Sequence, residues 1–144
     1  TPGDRSPRPI LLTYGDVVGL VAADVQAPPV IGAGTALTVT TTWQAITAPH
    51  EDFTIFLQVV DDALNIVTQR DTQPRAGDYP TSYWETGEVV TDVRTLILPP
   101  VLPSGRYRIV TGLYLLSTGE RLPASSASGP ADENWAVIGA FAIP

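Results

Sequence analysis

The sequence predicts an all-β fold, two antiparallel sheets packed as a sandwich, and three observations carry that prediction. Apolar and polar residues alternate with period two in one segment after another. No stretch carries the 3.6-residue period of an amphipathic helix. The 14 prolines and 12 glycines fall mostly between the alternating segments, where turns are needed. Several short strands with regular turn signals describe a sandwich or barrel; an immunoglobulin-like arrangement is the first expectation and a jelly roll the second.

The elements follow in chain order. Residues 1–9 hold three prolines, two arginines and little that is apolar, so they read as a linker or leader, and residues 10–144 as a single sandwich domain. Val17 to Val25 reads as a strand. Leu37, Val39, Thr41 and Trp43 alternate with Thr38, Thr40, Thr42 and Gln44, a half-buried strand whose threonines disfavour helix. Phe53, Ile55, Leu57 and Val59 form an apolar row with mixed neighbours, which suits a central strand covered on both faces. The turn Asp61–Asn65 and the return Ile66 to Arg70 complete a hairpin. Val89, Thr91, Val93, Thr95 and Ile97 alternate with Val90, Asp92 and Arg94, which puts Asp92 and Arg94 together on the outward face. Strands over Tyr107 to Leu113, a short return at Arg121 and Leu122, and a last strand from Trp135 to Ile143 follow. Ala124 to Ala131 reads as a flexible loop. Leu37, Val39, Trp43, Phe53, Ile55, Leu57, Tyr107, Ile109 and Leu113 are expected to share one core.

Composition excludes several classes of function. A 144-residue chain with 44% hydrophobic and 16% charged residues has the balance of a globular domain. Its net charge is −7, and its eight basic residues are scattered arginines, which argues against nucleic acid and against anionic membrane surfaces. No apolar run approaches the ~20 residues of a membrane-spanning helix. The start on Thr1 and the end on Pro144, directly after an apolar stretch, suggest a piece cut from a longer exported or membrane-anchored protein.

The chemistry-bearing residues are few. With no Cys, and with His50 as the single His, nucleophilic triads and transition-metal sites lack their parts, and no cofactor is expected. Calcium needs only oxygens, and Asp61, Asp62 and Asn65 are spaced to offer them, although Asx residues in turns also cap their own backbone. Glu85, Glu88 and Asp92 lie near one another, as a glycosidase pair must, but acids around a turn and a strand start are ordinarily solvated. The segment from Gly77 to Glu88 is the most distinctive. Tyr79, Tyr83 and Trp84 stand among acids there, and flat rings beside Asp, Glu and Arg suit sugar binding. The same rings can equally plug one end of a sandwich. Trp84 is expected to be structural, and Asp78, Tyr79, Tyr83, Asp92 and Arg94 are the ligand candidates.

One ordered series runs through the chain. Asp71-Thr72-Gln73-Pro74, Tyr79-Pro80-Thr81, Trp84, Gly87-Glu88 and Asp92 lead to Leu98-Pro99, Pro103-Ser104-Gly105-Arg106-Tyr107, Gly112-Leu113-Tyr114 and Thr118-Gly119-Glu120-Arg121-Leu122. With Leu37 to Trp43 and Phe53 to Asp61, it resembles a β-sandwich domain of bacterial membrane glycosyltransferases of the Chloroflexi type. These are similar to dolichyl-phosphate-mannose–protein mannosyltransferases, and in them the sandwich follows the multi-helix membrane part. The resemblance implies a non-catalytic accessory domain on the extracytoplasmic side of a bacterial membrane, with a glycan or a glycosylation acceptor as partner. It maps no catalytic residue onto this chain. Two alternatives stand beside it: a carbohydrate-binding module acting through the 78–94 loop, and a generic adhesion or assembly domain.

Overall fold

The computed structural model describes residues 9–144, so all of the expected leader except Pro9 lies outside the described residues. The chain runs through ten strands: β1 (Leu12–Tyr14), β2 (Val18–Gln26), β3 (Ala36–Ala45), β4 (Phe53–Asp61), β5 (Ile66–Gln69), β6 (Val89–Ile97), β7 (Gly105–Leu115), β8 (Ala124–Ser126), β9 (Gly129–Pro130) and β10 (Ala136–Ile143). They form a six-stranded sheet in the order β6-β3-β2-β1-β8-β9 and a four-stranded sheet in the order β10-β7-β4-β5. The β6-β3-β2 and β10-β7-β4-β5 orders are those of an immunoglobulin-type sandwich, in which the chain crosses between the sheets after β3, β5, β6, β7 and β9. Tyr107, near the start of β7, donates its hydroxyl to the Pro103 carbonyl four residues back. That is the tyrosine corner that pins the crossover in such folds.

Side-chain period decides which residues face inward. On β3, Leu37, Val39, Thr41 and Trp43 are buried while Thr38, Thr40 and Thr42 are half-exposed, as their alternation requires. β4 is buried on both faces. Its Phe53, Ile55, Leu57 and Val59 point between the sheets. Phe56 and Val60 point out, under Trp135 and Tyr114. The Phe56 ring stacks on Tyr114 at 6.1 Å, and the Arg121 guanidinium caps it at 4.7 Å. Gly112 on β7 makes room for that ring: a Cβ there would stand 2.5 Å from it.

The interior is two apolar clusters, not one. Trp43, Phe53, Ile55, Val90 and Leu113 pack with Tyr14, Leu20 and Trp84 at one end. Leu37, Val39, Leu57, Leu96, Tyr107 and Ile109 pack at the other. All nine predicted core residues are buried, but they divide between these clusters. A polar belt lies where the two meet. Thr41 accepts the Trp43 indole N–H at 2.8 Å, and Thr111 donates its hydroxyl to the Phe56 carbonyl at 2.8 Å. The Tyr14 hydroxyl donates to the Thr111 carbonyl at 2.9 Å. Asp92 and Arg94 complete the belt from β6.

Two sequence expectations need correction. Asp92 and Arg94 face inward with Val90 and Leu96, and Thr91, Val93, Thr95 and Ile97 face solvent. Hydropathy alone inverted this strand, because the pair is charged and yet fully accommodated inside. Ala124 to Ala131 is not an unstructured loop: β8 and β9 form a small hairpin that extends the first sheet from β1, with Tyr14 opposite Ala124. β1 itself is too short for an alternation to reveal it.

Leu57→Ala is expected to cost ~2–5 kcal/mol in urea denaturation, because it empties core volume between the sheets. Thr40→Ala, on the solvent side of β3, is expected to stay within ~0.5 kcal/mol. Equal costs would reverse the assigned faces. Burial also raises the pKa of the Tyr14 hydroxyl well above its ordinary value of about 10. Stability linked to this group is fully present below that value. Above it the unfolded chain loses the proton while the folded chain keeps it, so stability falls by ~1.4 kcal/mol per pH unit. Urea titrations at increasing alkaline pH should show a shallower fall in Tyr14→Phe than in the parent chain.

Candidate functional site

The candidate residues gather at one side of the sandwich, where the edge strand β6 of the first sheet lies beside β5, the edge of the second. Between β5 and β6 the chain makes two short turns, over Pro74–Gly77 and Thr81–Tyr83, and carries Asp78, Tyr79, Tyr83 and Trp84. Trp84 is buried in the core, and its indole N–H donates to the Tyr79 carbonyl at 3.0 Å. Thr81 holds the loop from beneath: its hydroxyl donates to the Glu51 carbonyl at 2.6 Å and accepts the Phe53 amide at 2.8 Å.

Tyr79 is half-buried against the same cluster, and its hydroxyl donates to the Glu88 carboxylate. Glu88 is itself buried, contrary to the expectation of a solvated acid, and it also accepts the Glu85 amide at 3.1 Å. Tyr83 is 66% exposed and meets the Tyr79 ring edge-on at 6.4 Å. Asp78 is exposed beside them. The loop thus shows solvent one open ring, supported by a second ring whose hydroxyl is tied down.

Asp92 and Arg94 are not part of that surface. Their side chains are about 3–4% exposed, and Arg94 Nε stands 2.7 Å from Asp92 Oδ2, a close ion pair without hydrogen-bond alignment. The terminal guanidinium nitrogens reach across to the second sheet. They donate to the carbonyls of Ile55 at 2.7 Å, Arg70 at 2.8 Å and Thr72 at 3.0 Å. These carbonyls lie where the ladder between β4 and the chain after β5 is interrupted. There the Leu57 amide is met by the Asp71 carboxylate at 3.2 Å, and Thr72 resumes pairing with Ile55. Burial lowers the Arg94 pKa, and the negative charge of Asp92 opposes that shift.

Asp92 also shapes the loop. Its Oδ1 accepts the Arg75 amide at 2.8 Å. Arg75 and Ala76 both sit in the left-handed region, at φ 53° and 54°, which costs ~1–2 kcal/mol per residue for non-glycine side chains. The Asp92 carboxylate offsets part of that strain. In consequence the Arg75 side chain lies along β6, with Nε donating to the Thr91 carbonyl at 3.1 Å and the guanidinium 5.7 Å from the Tyr79 ring centre. Arg75 was not among the sequence candidates. Two arginines flanking Asp71–Pro74 were the only available signal.

Comparison with known proteins comes to rest on shape. No family model matches the chain, and no curated protein matches it in sequence. Solved structures do match. A β-glucuronidase from glycoside hydrolase family 2 gives a TM-score of 0.53 at 14% identity, over 74% of this chain and 11% of its own. A glycosyl hydrolase family 2 member from Bacteroides cellulosilyticus gives 0.52 at 12% identity, over 81% and 14%. The C-terminal domain of wzt gives 0.54 at 12% identity, over 85% and 74%. The likeness is one of fold. This chain spans only 11% and 14% of the two hydrolases.

The site offers a ring face, hydroxyls and cationic donors; the chain has no Cys, and His50, its single His, is exposed in the loop before β4. The calcium alternative sits elsewhere, in the β4–β5 turn. Asp61 Oδ1 there accepts the amides of Ala63 at 2.9 Å and Asn65 at 2.8 Å, so the carboxylate serves its own turn. Among the described residues no group of three or more His, Cys, Asp or Glu is placed to hold a metal ion.

Arg94→Met is expected to destabilise the domain by ~3–5 kcal/mol, because it leaves Asp92 charged and unpaired inside. Asp92→Leu combined with Arg94→Met should cost less than the two single changes added together. Strict additivity in denaturant titrations would mean that the two side chains do not act as a pair.

Proposed function

We propose that this domain is a non-catalytic accessory module of a larger carbohydrate-active protein, and that it engages glycan through the Tyr79–Tyr83 surface. The observation that carries the reading is the exposure of Tyr83 above a loop anchored from behind. A large ring two-thirds open to water on a rigid support presents a flat face, and CH groups of a sugar stack on such a face. Sandwiches of this shape forming a small part of glycoside hydrolase chains support an accessory role. The ordered motif series from Asp71 to Leu122 supports a membrane glycosyltransferase as the larger protein, with this domain on the extracytoplasmic side of a bacterial membrane, engaging the glycan or the glycosylation acceptor.

Tyr83→Ala is expected to leave stability within ~0.5 kcal/mol and to lower glycan retention at least tenfold on an array that also carries the parent domain. Trp84→Ala, by contrast, is expected to lose ~3–5 kcal/mol of stability. Failure of the parent domain to bind any glycan at millimolar concentration would remove the recognition role and leave a purely structural accessory domain.

A further inference from the structure

A groove of about 500 Å³ runs along the outer edge of β6, walled by Arg70, Thr72, Arg75, Thr91, Val93 and Thr95, with Arg94 among its lining residues. No acidic side chain lines it among the described residues, in a chain whose net charge is −7. Arg94 is spent on the sheet-to-sheet clasp. Arg70 and Arg75 are exposed and make no ion pair among the described residues, although the chain carries 15 acids against 8 basic residues. Each is tethered by one bond to the open edge of β6: Arg75 Nε to the Thr91 carbonyl at 3.1 Å, and Arg70 to the Thr95 carbonyl at 3.4 Å. Both residues line the groove.

We propose that this groove binds the acid groups of a carboxylated oligosaccharide. The inference rests on the glycan reading above and gives it a substrate class. Three features select the ligand. The tethering carbonyls are four residues apart on one strand, roughly 13 Å, which is too far for a lone carboxylate or phosphate to bridge and suits acid groups spaced along an extended chain. An acidic peptide would dock on this edge by strand addition, but the Thr91 and Thr95 carbonyls that would pair with it are already taken by the two arginines. The groove is also continuous with the ring surface, since the Arg75 guanidinium lies 5.7 Å from the Tyr79 ring centre. A saccharide stacked on Tyr83 therefore continues past Arg75 towards Arg70, along the stretch of groove that Thr95 lines. The strained turn held by Asp92 orients Arg75 before any ligand arrives, which spares ordering cost on binding.

The test is titration calorimetry on the full chain with a galacturonate oligosaccharide, its methyl ester, a polyglutamate peptide and inorganic sulfate. The variants are Tyr83→Ala and the double change Arg70→Gln/Arg75→Gln, in which the glutamine amides retain donors for the edge carbonyls; melting temperatures report folding. The acid oligosaccharide is expected to bind at least tenfold more tightly than the ester and than sulfate, to weaken with rising salt, and to lose at least tenfold in the double variant. Equal affinity for acid and ester, or an unaffected double variant, overturns the groove and leaves the ring surface standing. Acid-dependent binding that survives Tyr83→Ala but not the double variant supports the groove and overturns the ring reading. Polyglutamate binding as tight as the oligosaccharide overturns the saccharide assignment in favour of an acidic peptide. An absence of binding by every probe overturns both.

Discussion

The buried pair of Asp92 and Arg94 is the constraint around which this sandwich is organised. Sheets in a sandwich ordinarily adhere through interdigitated apolar side chains alone. Here a guanidinium from the edge strand of one sheet crosses the interior and ends on three carbonyls of the other. The pair divides the core into two apolar clusters and places a polar belt between them. Its net contribution to stability is small, because desolvating two charges offsets most of their attraction. Its contribution to specificity is larger. A one-residue slip of β6 would turn Asp92 and Arg94 to solvent and leave the carbonyls of Ile55, Arg70 and Thr72 without their donors.

The same pair positions the residues that wall the β6 groove. Through Asp92 it holds the left-handed turn at Arg75, and through Arg94 it holds the carbonyls of Arg70 and Thr72. Both arms of the groove thus hang from one interior contact. The aromatic loop is anchored separately, by Trp84 in the core, by Thr81 against Glu51 and Phe53, and by the Tyr79–Glu88 bond. Rigid support beneath an exposed ring and exposed cations is the arrangement that binding modules need, since each side chain ordered beforehand is one less to order on contact.

Much of the sandwich was legible because strands with one wet face write their fold in a two-residue period. β3 and β7 were read with the correct faces, and the double-sided burial of β4 followed from its mixed neighbours. β6 defeated the same rule. Hydropathy treats a buried charge as a surface residue, and nothing local to Asp92 and Arg94 reveals the carbonyls of distant strands that receive them. β8 and β9 were missed for a related reason: they consist of Ala, Ser, Gly and Pro, and β8 becomes a strand only by pairing with β1 more than a hundred residues earlier, β9 only by pairing with β8.

The sequence by itself determined the fold class, the turns, the structural role of Trp84 and the candidacy of Tyr79 and Tyr83, because each of these rests on local period, turn chemistry or residue type. Tertiary structure alone decided which of the candidates face solvent. It removed Asp92 and Arg94 from the surface, tied the Tyr79 hydroxyl to Glu88, left Tyr83 open, and brought Arg70 and Arg75 to one groove from either side of a turn. The physical reason is that a polar side chain goes where its hydrogen-bond partners are, and here those partners are backbone groups of strands far away in sequence.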